Sequence, residues 1–139
     1  MGIRRFLRAS LVIFVVGMVW GGLVQLVLLR EGNAAIAHLM RPDMAAKMWM
    51  SIVAMAGFVC LFVFGYARFA RTGTVGEGIL YGLFFAVVAG LLVDVNQYVL
   101  YPIPGSLAWT WFAAGVVEFC LYGALVSRLY AVGRPRPDP

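Results

Sequence analysis

Residues 78–130 read GILYGLFFAVVAGLLVDVNQYVLYPIPGSLAWTWFAAGVVEFCLYGALVSRLY, two long apolar runs joined by the short turn Tyr101-Pro102-Ile103-Pro104-Gly105. Asp94, Asn96 and Gln97 interrupt the first run, and Glu118 stands in the middle of the second. A carboxylate at mid-membrane costs about 2.5 to 3.5 kcal/mol on insertion scales, so such a side chain turns towards protein or water and marks a candidate site. Paired runs of this length, each holding one acid in its middle, decide the reading of the whole chain. They are helices that cross a bilayer, linked by a turn too short for anything but antiparallel neighbours.

Composition agrees with that reading. Of 139 residues, 63% are hydrophobic and 12% charged, with a mean hydropathy of +0.92, values outside the range of a soluble globular domain. A crossing takes about 20 mainly apolar residues, and four runs reach that length, at about 10–29, 49–69, 79–101 and 107–130. The expected fold is all-α: one integral membrane domain over residues 1–139, a bundle of four transmembrane helices. A loop at 30–48 and a disordered tail at 133–139 complete it.

The net charge of +5 is explained by where the basic residues fall. Arg4, Arg5 and Arg8 precede the first run, Arg68 and Arg71 follow the second, and Arg128, Arg134 and Arg136 follow the fourth. With four crossings these share one side. The other side holds Arg30, Arg41 and Lys47, partly offset by Glu31 and Asp43, and an uncharged turn. The positive-inside rule then puts both termini in the cytoplasm and the 30–48 loop in the periplasm. Basic charge of this kind sets topology and meets anionic headgroups, so the lipid bilayer is an expected partner and nucleic acid is not.

The segment Arg4-Arg5-Phe6-Leu7-Arg8 is a near match to a twin-arginine start, but the apolar run after it is too long for a signal peptide and lacks a small-x-small cleavage site, so it is read as an anchor. Small residues recur four apart at Gly17 and Gly21, Gly78 and Gly82, and Ala86 and Gly90, the spacing that lets membrane helices approach closely. These serve either contacts within the bundle or association with a second copy or other membrane subunits. Cys60 and Cys120 fall inside spans and are expected as inert packing groups. Thr74 and Glu77 fit a capping box at the start of the third helix, and Asp43 an N-cap for Met44–Met48. A shift of sixty residues lays Trp49, Cys60 and Arg68 on Trp109, Cys120 and Arg128, and another lays Gly21 and Gln25 on Gly90 and Asp94. Both fit a parallel repeat of two helical hairpins.

Two groups of residues carry candidate chemistry. Helical spacing puts Asp94 on a face with Gly90, Gln97, Tyr98 and Tyr101, and Glu118 on a face with Trp111, Gly115 and Tyr122. If those faces meet, Glu118, Asp94, Gln97 and Tyr98 form one buried polar cluster within reach of Gln25. Such a cluster is either a proton or cation relay or a structural clasp between helices. In the loop, His38 with Met40, Met44 and Met48 forms a soft-ligand set of the kind that suits copper(I), although methionines equally fill gaps between packed helices.

One histidine cannot supply bis-histidine haem ligation, no span holds a lysine for a retinal Schiff base, and no nucleotide-binding glycine loop is present. Cofactors and enzyme activity are not expected. The pattern of Arg5-Phe6-Leu7, Arg41-Pro42-Asp43, Tyr101-Pro102-Ile103-Pro104 and Ala114-Gly115-Val116-Val117-Glu118 resembles a group of small, uncharacterised bacterial four-helix inner-membrane proteins. That resemblance implies the architecture and the bacterial inner membrane as location, and no activity. Three functions follow: an interaction or accessory subunit of a membrane complex, a small proton- or cation-linked transporter using the Asp94 and Glu118 cluster, or periplasmic copper handling by the methionine and histidine loop.

Overall fold

The computed structural model describes residues 2–130, so the tail expected at 133–139 lies outside the described residues. The four apolar runs are helices, each longer than composition alone marks. They span Ile3–Leu28, Met44–Phe69, Val75–Leu100 and Gly105–Leu129. At 1.5 Å per residue each is about 38 Å long, enough to cross about 30 Å of hydrocarbon with some tilt. By element, α1 is Ile3–Leu23, α2 Arg30–Ala35, α3 Met44–Phe69, α4 Val75–Ala89, α5 Asn96–Leu100 and α6 Gly105–Leu129.

Two of the four crossings are not continuous α-helix. α1 runs into a π-helical segment, Val24–Leu28, and α4 is joined to α5 by a second one, Gly90–Val95. In the first, the Leu29 amide donates to the Val24 carbonyl at 2.9 Å, five residues back instead of four. Each such turn holds an extra residue and rotates everything after it, and π segments of this kind concentrate at functional sites.

The loop between α1 and α3 is more ordered than its sequence announces. α2 and a 3₁₀ turn, Ala37–Leu39, fold back so that Ile36 joins Val24, Leu29, Ile103 and Leu107 in a small apolar cluster. Ile103, held between two prolines, is buried there and fixes the α5 to α6 corner. Asp43 does stand at the start of α3, but its side chain makes no cap. The carboxylate is taken instead by Arg41 at 2.9 Å and Lys47 at 2.8 Å, which hold it below the usual carboxylate range. At the other end, Thr74 Oγ1 accepts from the Glu77 amide at 3.3 Å, one half of a capping box. Glu77 does not close the box. Its carboxylate accepts from the amides of Arg71, Thr72 and Gly73 at 2.7 to 3.0 Å, and Gly73 reaches that turn with φ of 64°, a left-handed conformation that favours glycine.

The helices pack unequally along their length. The main core gathers Ala9, Ile13, Val59, Phe62, Val63, Tyr66, Tyr122, Val126 and Tyr130, with Phe6 and Ala70 against it, so the start of α1, the end of α3 and the end of α6 lie at one end of the bundle. Phe62 is the hub of an aromatic plug, with ring centroids 4.8 Å from Tyr81, 5.2 Å from Phe85 and 6.1 Å from Tyr122. The tightest contact is α4 on α6, where Gly78 lies against Gly123 and Gly82 against the Phe119 carbonyl. Without a hydrophobic force between helices in lipid, such backbone approach supplies the packing energy. The 78/82 and 86/90 pairs therefore serve the bundle, as does Gly17, which faces Tyr122 and Met55.

The opposite half is open, and every residue from Met44 to Ala54 on α3 is exposed around the whole helix. Cys60 is exposed and Cys120 half-buried; both are free, and Cys60 is a surface group rather than a packing group. Large apolar side chains such as Leu11, Leu26, Leu61, Phe84 and Trp109 cover the outside, as lipid requires.

Within the plug, the Tyr66 hydroxyl is fully buried and finds no hydrogen-bond partner among the described residues. An unmet buried hydroxyl costs about 1 to 3 kcal/mol, while the Tyr66 ring keeps its edge contact on Tyr81 without it. Tyr66→Phe is therefore expected to melt at or above the wild-type temperature in detergent, measured by circular dichroism. A lower melting temperature would show that the hydroxyl has a partner.

Candidate functional site

The open half contains two neighbouring cavities. The inner one, about 260 Å³, lies between the end of α1, the α4 to α5 helix and the middle of α6. Glu118, Asp94 and Gln25 all line it, and Phe119, part of the aromatic plug, closes one side. The outer one, about 1060 Å³, lies between the 30–48 loop, the exposed start of α3 and α5. Gln25, Asp94 and Trp111 line both and so mark the boundary between them, here called the neck.

Each polar group arrives for a local reason. Gln25 sits in the first π segment and Asp94 in the second, so both are placed by the extra residue that their helices accommodate. Gln25 Oε1 accepts from Asn33 Nδ2 at 2.5 Å, which ties α2 over the neck. Glu118, near the midpoint of α6, is half-buried and accepts a hydrogen bond from the Tyr122 hydroxyl one turn on. That hydroxyl occupies space that a side chain at Gly17 would take. Gly21 and Gly115 both line the inner cavity, and a Cβ at either would meet nothing within 4 Å.

Of the residues singled out from the sequence, Glu118, Asp94 and Gln25 share the inner cavity, and Gln97 lines the outer one. Tyr98 is not brought in. It is 51% exposed and stands beside the corner, its ring 3.7 Å from where a Cβ on Gly105 would be. Met40, Met44 and Met48 line the outer cavity, but His38 is exposed and does not. Among the described residues no group of three His, Cys, Asp or Glu side chains is placed to hold a metal ion. Sequence reasoning passed over Asn33, which carries no signal in an unassigned loop, and did not foresee that Gly21 and Gly115 would line a cavity.

Comparison with family models, with curated proteins and with solved structures finds no match. The chemistry rests on the residues themselves. Within the bundle Asp94 and Glu118 are two acids on one cavity with no lysine or arginine lining that cavity. Two carboxyl groups on one cavity are groups able to exchange a proton or to balance a small cation.

Proposed function

We propose that the protein is a small polytopic membrane protein that moves protons or small cations, with Glu118 as the exchanging group and Asp94 as its relay at the neck. One observation carries the reading. Three polar side chains from three helices converge on one cavity, two of them, Gln25 and Asp94, also line the larger cavity beside it, and the other half of the same bundle is packed with aromatic rings. A clasp whose only role was to hold helices together would be expected to have Asp94 and Glu118 bonded to neighbouring helices; instead the Glu118 partner is on its own helix.

The positive-inside pattern supports a cytoplasmic position for the sealed end, with Arg4, Arg5, Arg8, Arg68, Arg71 and Arg128, and an outward-facing vestibule; the membrane proposed is the bacterial inner membrane. The presence of Gln25 and Asp94 each in a π segment of its crossing is compatible with a repeat of two parallel hairpins, although Gln25 stands second in its segment and Asp94 fifth.

The test is ion flux in proteoliposomes under an imposed potential, read with a pH dye and then with monovalent cations. The wild type is expected to carry protons or one such cation, and Gly115→Leu, which fills the inner cavity at a helical position with open space, to block it while the melting temperature holds. A wild type that moves neither ion would overturn the reading. A second reading, an accessory subunit of a membrane complex, is favoured by the exposure of Met44 to Ala54 on all sides of α3. It predicts a fixed partner that co-purifies in mild detergent and is released by bulky substitutions on that stretch.

A further inference from the structure

The outer cavity has a chemistry of its own. At about 1060 Å³ it is the size of pockets that take whole small molecules, not a bare ion. Its walls are mostly apolar: the thioethers of Met40, Met44 and Met48 on one side, and Trp111 and Tyr101 on the other. Methionine side chains adapt to varied shapes, and aromatic faces attract cations. Two charged residues line it. Arg41 is bound to Asp43, with contacts of 2.9 and 3.2 Å, a carboxylate that also holds Lys47 at 2.8 Å, whereas Asp94 at the neck has no cationic partner among the described residues. A ligand that satisfies this wall therefore has an apolar body and one positive charge.

We propose that the vestibule binds a lipophilic monovalent organic cation, with Asp94 as its counter-charge and the methionine and aromatic walls around its body. This deepens the proposed ion-coupled function and rests on that reading for the accessibility of Asp94. A molecule of this class enters from the outer half of the bilayer or from the aqueous side, reaches Asp94, and competes there with the proton or small cation coming from Glu118.

The experiment is equilibrium binding of tetraphenylphosphonium to the purified full chain in detergent, with tetraphenylborate, of the same shape and opposite charge, as control. The cation is expected to bind and the anion not. Asp94→Asn should weaken the cation at least about tenfold by removing its counter-charge, and the double variant Met44→Ala with Met48→Ala should weaken it a few-fold, with folding checked by circular dichroism. Equal binding of the borate, unchanged affinity in Asp94→Asn, or no binding at all overturns the proposal. So does silver(I) binding that needs Met44 and Met48 while tetraphenylphosphonium is not bound. The measurement uses no gradient, so binding without ion flux keeps this inference and removes the transport reading, and flux without binding does the reverse.

Discussion

Glu118→Gln is expected to reduce ion flux in proteoliposomes to the level of empty vesicles while the bundle melts within a few degrees of wild type. Glutamine has nearly the volume of glutamate and still offers an oxygen to the Tyr122 hydroxyl, so the cavity wall keeps its shape. What it cannot do is take up and release a proton or balance a cation. Removing a charge from a half-buried position also removes a desolvation cost, which is why stability holds or rises. Neighbouring variants grade the effect. Asp94→Asn leaves Glu118 in place but removes the relay at the neck, so flux falls without vanishing. Tyr122→Phe frees the Glu118 carboxylate from the group that orients it, and Gly17→Ala should resemble it, because the added methyl takes the space of the same hydroxyl. Flux at the wild-type rate in Glu118→Gln would remove Glu118 from the mechanism, whatever the other variants did.

Part of this site is legible in the sequence, for a definite reason. Charge is rare within an apolar span, so Asp94 and Glu118 stand out, and on a straight helix the three- and four-residue spacing correctly brings Trp111, Gly115 and Tyr122 to the side of Glu118. On the other helix the same rule brings Gly90, Gln97 and Tyr101 to the cavities that Asp94 lines and misses only at Tyr98, which is exposed beside the corner. What the spacing does not show is the π segment Gly90–Val95 in which Asp94 sits. A π turn has no composition of its own, so nothing in the residues announces it. In the loop, Met44 and Met48 lie one helical turn apart and reach the same wall as expected. His38 sits on the 3₁₀ turn Ala37–Leu39 and does not line that cavity. The α4 to α6 contact was visible as Gly78 and Gly82, yet its partner Gly123 was not, because a lone glycine in an apolar helix has no pattern to match.

That partner is the most sensitive place for stability in the molecule. Gly123→Ala is expected to destabilise the bundle by about 3 kcal/mol or more, near the upper end of ordinary overpacking. A Cβ on Gly123 would run into the Gly78 carbonyl, and a Cβ on Gly78 into the Gly123 carbonyl, so the obstacle on both sides is backbone and no side chain can rotate away. The helices must part instead. Parting them there also lifts Gly82 from the Phe119 carbonyl one turn further on, and with it the ring that joins the aromatic plug to the inner cavity. Gly57→Ala is the control, since a methyl there meets nothing within 4 Å and should leave the melting temperature unchanged or slightly raised. The double variant Gly78→Ala with Gly123→Ala should cost clearly less than the sum of its parts, because once the first methyl has separated the helices the second finds room. Thermal melts of the wild type, the two single variants, the double variant and the Gly57→Ala control in one detergent decide it: additive losses would mean that the two methyls act at separate contacts, and a Gly123→Ala variant as stable as wild type would mean that α4 and α6 do not approach backbone to backbone at all.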